Sequence, residues 1–167
     1  MTLLNVLHFP NPRLRLKAEP VKEVTPDIIK ILDDMLETMY ADRGVGLAAI
    51  QVNIQKRLIV MDVSDEYNQP QCFINPEIIS TEGSELFEEG CLSVPGIYDK
   101  VKRAKKVVFK YLDKNNQSQT IHAEELLADC IQHEIDHLDG KLFIDHLSPL
   151  KQERIRKKLE KQERHRL

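Results

Sequence analysis

His133 and His137 stand four residues apart, with Glu134 beside the first of them. On a helix this spacing puts two imidazoles one turn apart on one face, where they can share a metal ion, with a carboxylate next to them. The chemistry available to such a trio is hydrolysis, in which the ion activates a water and the acid takes and returns its proton. From Ala123 to Leu138, the apolar residues Leu126, Leu127, Cys130, Ile131 and Ile135 recur at helical spacing, which predicts the helix that the geometry requires. The competing reading is a surface helix carrying two solvated histidines, because the pentapeptide fixes only three residue types. Two of the chain's six histidines fall within it, which weakens that reading.

Two histidines leave a catalytic site one protein ligand short. One protease group supplies a third histidine after a central glycine; Gly140 fits that pattern, but the ligand position holds Phe143, which cannot bind metal. Another group uses a downstream glutamate, for which Glu153 and Glu160 are candidates in the charged tail. Cys130 shares the helical face of the histidine pair, although a small side chain there is equally a core residue. Cys91 lies in Glu89-Gly90-Cys91-Leu92-Ser93-Val94-Pro95-Gly96, where glycine and proline bend the backbone and can turn a thiolate outward. It is the preferred candidate, with the others still open.

The elements that position these residues read as one α+β domain over residues 1–167. At 167 residues the chain is long enough to bury a core without staples, and its composition fits neither a fibrous nor a disordered protein. Thr25-Pro26-Asp27 starts an amphipathic helix carrying Ile28, Leu32, Met35, Leu36 and Met39 and ending near Asp42. A glycine-opened loop of small residues follows, from Arg43 to Gln51. Residues 57–63, 71–75, 78–81 and 107–112 read as strands, and Asp113-Lys114-Asn115-Asn116 as a hairpin turn leading to 119–122. Ser148-Pro149 opens a last helix with a narrow apolar stripe of Leu147, Leu150, Ile155 and Leu159. Three cysteines cannot all pair within one chain, so metal ligation or burial is favoured over disulfides. The start of the chain lacks a basic segment before an apolar core, and no run approaches membrane-spanning length, so a cytoplasmic protein is expected. The net charge of -3 hides an asymmetry: residues 148–167 carry eight Lys or Arg against three Glu, leaving the rest acidic.

Three segments, Gly44-Val45-Gly46-Leu47-Ala48-Ala49-Ile50-Gln51, Glu89-Gly90-Cys91-Leu92-Ser93 and Gln132-His133-Glu134-Ile135-Asp136-His137, in this order, resemble the motifs of the peptide deformylases. The similarity extends to Pro10-Asn11-Pro12-Arg13-Leu14-Arg15 and Leu147-Ser148-Pro149-Leu150-Lys151, and the helical C-terminus is similar to that of the Gram-negative bacterial type. The resemblance implies antiparallel or mixed sheets around a central metal-binding helix, with an N-terminal and a C-terminal helix. It implies removal of the formyl group from N-formylmethionyl nascent peptides. It makes Cys91, His133 and His137 the ligands of one Fe2+, for which Zn2+, Ni2+ or Co2+ can substitute, and sets Glu134, Gln51 and Leu92 around the reacting group. It implies that Val45, Gly46 and Gly90 pair with the substrate backbone, that Val45, Ile131, Leu126 and Leu127 line a methionine pocket, and that Arg103 lies near the peptide-binding rim. Glu89 would bridge to that arginine. One departure is Asp129, which stands where the family has an aliphatic residue near the pocket, and which either weakens methionine packing or points to solvent.

Two other function classes compete with a deformylase: a general metalloendopeptidase, and a non-catalytic metal- or ribosome-binding module. The small-residue loop and Cys91 favour the deformylase. The basic end suits RNA, and the resemblance implies an approach to the ribosome near the exit tunnel through the C-terminal helix. No aromatic residue interleaves those bases, so base stacking is not suggested, and neither DNA nor a membrane is an expected partner.

Overall fold

A computed structural model describes residues 2–166. Helix α1 (Pro26–Ala41) starts as predicted: the Thr25 side chain accepts from the Ile28 N–H at 3.4 Å, and Pro26 occupies the first position, where no N–H is needed. Strands β1 (Gly46–Ala48), β2 (Leu58–Met61), β3 (Gln71–Glu82), β6 (Lys106–Leu112) and β7 (Ser118–Glu124) form one antiparallel sheet in the order β1-β2-β3-β6-β7. Strands β4 (Glu85–Cys91) and β5 (Val94–Arg103) form a separate antiparallel hairpin. Helix α2 (Glu125–Leu138) carries the histidine pair, and α3 (Pro149–Arg166) ends the described chain.

The larger sheet lies between α1 and α2, which explains why β2 is apolar without alternation. Leu58 and Val60 pack with Leu32, Met35 and Met39 of α1, whereas Ile59 and Met61 pack with Ile131, Ile135 and Leu138 of α2. Successive side chains of a strand point to opposite faces, so a strand covered on both must be apolar throughout. Phe73 and Phe109 complete the α2 side, with ring centroids 5.2 Å apart and nearly perpendicular planes. A third cluster joins Val94 and Val101 of the hairpin to Phe143, Ile144, and Ile155 and Leu159 of α3. The metal-ligand candidates therefore sit where α2 meets the hairpin.

Some boundaries differ from the sequence reading. The strands expected at 71–75 and 78–81 are one strand, because Asn75 takes a left-handed conformation (φ 52°) and shifts the register against β6 instead of ending the pairing. The Asn75 side chain fixes this kink by accepting from the Val21 N–H and donating to the Val21 carbonyl, each at 2.8 Å. The loop expected from Arg43 to Gln51 contains β1. The hairpin around Cys91 was missed, since its alternation of charged and apolar residues is broken by Gly90, Pro95 and Gly96. Leu150, expected on the buried stripe of α3, is 61% exposed, while Leu147, Ile155 and Leu159 are buried.

Candidate metal centre

Cys91 ends β4, where the two-residue turn Leu92-Ser93 reverses the chain into β5. The turn points the sulfur at α2, where His133 and His137 face it one helical turn apart. The ligand atoms of Cys91, His133 and His137 all lie within 4.8 Å of one another, and Cys91 Sγ is 3.2 Å from His137 Nε2. Of the third-ligand candidates that the sequence offers, Cys91 is the one that stands in this cluster. Cys130 is buried among core residues, with part of it on the cavity wall, and is not part of the cluster. Glu153 and Glu160 pair with Arg156 on α3. Phe143 stacks on the His133 ring with centroids 6.0 Å apart.

The donor set fits a divalent transition metal: one soft thiolate and two imidazoles, with room left for a further ligand. Electrostatics agree. His137 is held well below the usual histidine range by burial, so its lone pair stays available. For His133, burial also acts downward, but Glu134, Cys91 and Glu89 outweigh it, so the cluster draws positive charge to itself.

The partner of the second histidine nitrogen, invisible in the sequence, is found for His133. Its Nδ1 lies 2.9 Å from Glu89 Oε1. Glu89 is clamped by Arg103, whose Nε and Nη2 donate to the two carboxylate oxygens at 2.8 Å each. Arg103 Nη1 donates to Asp136 at 2.6 Å, and His146 Nε2 lies 2.9 Å from the same Asp136 oxygen. Arg103 and His133 hold the Glu89 carboxyl far below the usual range despite the opposing effect of burial. Metal-ligating histidines are commonly oriented by such an outer carboxylate.

A cavity of about 440 Å³ opens beside the cluster, with Gly46, Gln51, Gly90, Leu92, Leu126 and Glu134 on its wall. Val45 is also on the wall and is 43% exposed. Glu134 is buried, its Oε1 has no hydrogen-bond partner among the described residues, and burial pushes its carboxyl up to about 7. Gln51 is fixed by three contacts: its Oε1 accepts from the Ala48 N–H at 2.9 Å, and its Nε2 donates to Ser93 Oγ at 3.1 Å and approaches Cys91 Sγ at 3.5 Å. Ser93, which sequence reasoning overlooked, also donates its N–H to Cys91 Sγ at 3.4 Å. Only its place beside Cys91 could have signalled this.

Three residues expected on the substrate surface lie elsewhere. Ile131 is wholly buried in the core on the opposite side of α2, and Arg103 is 5% exposed beneath Glu89 rather than at the rim. A third, Leu127, packs against the same core as Ile131. The expected bridge from Glu89 to Arg103 is present. Asp129 does not point to solvent: it is 6% exposed and lines the cavity.

The polypeptide deformylase family model matches residues 3–153. The chain belongs to that family. It is 59% identical to peptide deformylase 2 of Xanthomonas axonopodis pv. citri and 55% identical to the peptide deformylase of Nitrosococcus oceani, with 99% and 98% of both chains covered. Its structure is similar to that of a peptide deformylase from Legionella pneumophila, with a TM-score of 0.93, 47% identity and 99% and 98% of the two chains covered. It is also similar to the Ehrlichia chaffeensis peptide deformylase in complex with actinonin, with a TM-score of 0.94, 42% identity and 98% and 99% covered. The deformylase fold thus accounts for the α+β architecture, with antiparallel sheets and three helices.

Gly46 shows how tightly this deformylase site is packed. A Cβ there would stand 2.6 Å from Glu134 Oε2. Gly46→Ala is expected to turn the Glu134 side chain aside and lower kcat by at least about tenfold, since small misplacements of a reacting group cost rate steeply. Steady-state kinetics with metal content measured in parallel will show whether turnover falls while the metal remains.

Proposed function

We infer that this chain hydrolyses the formyl group from N-formylmethionyl peptides, releasing formate and the free amino terminus. The observation that carries this reading is the convergence of Cys91, His133 and His137 beside a cavity whose wall holds the buried Glu134 carboxyl, with its Oε1 unpartnered among the described residues. A formamide carbon is a poor electrophile because of amide resonance, so water needs help to attack it. Cys91, His133 and His137 would hold a metal ion, which would supply Lewis acidity at the reacting centre.

The chain's own residues do the rest. Glu134 takes a proton from the attacking water and delivers it to the departing amine; its elevated proton affinity suits both tasks near neutral pH. The Gln51 amide N–H and the backbone N–H of Leu92 donate to the oxygen that becomes negative, and one such donor is worth about 3 kcal/mol. Gln51 supports this role because Ala48 and Ser93 lock its amide at Cys91. The segments Val45-Gly46 and Gly90, both on the cavity wall, take the substrate backbone as an added strand, and the cavity takes the first side chain against Leu126.

The resident ion is proposed to be Fe2+, with Zn2+, Ni2+ or Co2+ able to substitute, because a mixed thiolate and imidazole set accommodates each. A thiolate beside ferrous iron makes activity oxygen-sensitive. The test is formate release from formyl-Met-Ala-Ser by protein purified anaerobically with iron. Chelation is expected to abolish release, and Fe2+ to restore it. A fully metallated protein that releases no formate would refute the reading, and cleavage inside an unformylated peptide would identify an endopeptidase instead.

The protein is proposed to be cytoplasmic and to meet nascent chains at the ribosome through α3; no helix among the described residues is long and apolar enough to cross a membrane. Ile155 and Leu159 are buried against the hairpin, so deleting the helix would expose a core. Charge is the cleaner variable. Lys157, Lys158, Lys161 and Arg164 are exposed, and changing all four to Gln is expected to weaken salt-sensitive ribosome binding about tenfold or more while sparing turnover of a short formyl peptide. Unchanged ribosome affinity in a sedimentation assay would remove the idea.

A further inference from the structure

Asp129 lies on α2 one turn before His133 and on the wall of the same cavity, yet the mechanism gives it no task. It is nine-tenths buried, and its Oδ1 has no hydrogen-bond donor among the described residues. A buried carboxyl without a donor is costly unless it keeps its own proton. Its neighbour Glu89 already accepts from Arg103 and His133, so between the two carboxyls the proton belongs to Asp129. Burial first, and then the Glu89 carboxylate, push Asp129 up to about 8. Around it the cavity wall is apolar at Val45, Leu92, Leu126 and Cys130. Oδ1 is covered in the free protein, so a donor entering the cavity reaches it through a turn of the Asp129 side chain, and the carboxyl then offers an acceptor within an apolar wall whether or not it is ionised.

We propose that Asp129 is a specificity-determining residue that lets the cavity accept first side chains ending in a hydrogen-bond donor at methionine's length, glutamine above all, alongside methionine itself. The proposal rests on the reading of this cavity as the pocket for the substrate's first side chain. A thioether has no proton to donate, so methionine covers the carboxyl without satisfying it, whereas the amide N–H of a glutamine side chain can donate to it. Norleucine, equal in length and wholly apolar, gains nothing from Asp129. A site that holds a polar partner discriminates by that bond, and a site without one discriminates by shape.

The experiment measures formate release from formyl-Met-Ala-Ser, formyl-Gln-Ala-Ser and formyl-norleucyl-Ala-Ser by the iron-loaded wild type and three variants. Asp129→Leu and the smaller Asp129→Ala remove the acceptor; Asp129→Asn keeps a carbonyl and can donate an amide N–H to Glu89 in place of the acid proton. The glutamine-to-norleucine ratio of kcat/KM is expected to fall about tenfold or more in the apolar variants and to stay within about threefold of wild type in Asp129→Asn. An unmoved ratio in a folded, metal-loaded apolar variant overturns the proposal while leaving the deformylase reading intact. An equal fall in Asp129→Asn also overturns it, since the effect would then follow the acid and not the acceptor. No formate from formyl-Met-Ala-Ser with wild type removes the cavity reading and this proposal together.

Discussion

Glu134→Ala is expected to lower kcat for formyl-Met-Ala-Ser by about 10²- to 10⁴-fold, the range typical of a lost general acid–base, while leaving the metal in place. The separation of the two effects follows from the structure. Glu134 is adjacent in sequence to His133, but the three ligand atoms that converge belong to Cys91, His133 and His137, and Glu134 Oε1 is a buried oxygen without a partner among the described residues. The carboxyl lies in the cavity wall with its other oxygen beside Gly46, and from there it takes a proton from water. Glu134→Gln keeps the shape and the hydrogen bonding but cannot take a proton, so it should be nearly as inactive as the alanine variant. Metal analysis beside single-turnover kinetics makes the decision. If metal content falls in step with activity, Glu134 is a ligand and the assignment of its role is wrong.

How much of this was legible beforehand depends on whether a feature is local. The α2 pattern, the Thr25-Pro26 helix start and the Asp113–Asn116 turn are properties of neighbouring residues, and each appears where the sequence placed it. The strand from Gln71 to Glu82 was split in two because Asn75-Pro76 is a local stop signal, and the bond that overrides it comes from Val21, far away in the chain. The β4-β5 hairpin escaped because only one of its faces packs on Phe143 and α3, and glycines and a proline interrupt its alternation. The histidine pair was readable from one helix, whereas the placing of Cys91 beside it, and not of Cys130, Glu153 or Glu160, needed the fold. The resemblance implies both a place near the rim for Arg103 and its bridge to Glu89, but among the exposed bases Lys100, Lys102, Lys105 and Lys106 nothing local says that Arg103 alone is buried.

Arg103→Met is expected to have the largest effect on stability of any single change near the site. The guanidinium makes two bonds to Glu89 and one to Asp136, and the Arg103 and Glu89 side chains are almost fully buried. Removing one partner of a buried pair leaves the other charge uncompensated, at about 3–5 kcal/mol. For a protein of this size that corresponds to a fall in Tm of about 10 °C. Metal affinity should also drop, by about 10- to 100-fold, because an unclamped Glu89 no longer holds the His133 ring through Nδ1. The double variant Arg103→Met/Glu89→Leu separates the two consequences. Replacing a buried ion pair by apolar side chains of similar volume is often neutral for stability, so Tm should return most of the way. Metal affinity should stay low, because His133 has then lost its carboxylate. Thermal melts of the apo forms and chelator competition of the loaded forms measure the two quantities independently. Recovery of both would mean that His133 needs no outer carboxylate to hold the ion, and that the Arg103–Glu89 pair serves the fold alone.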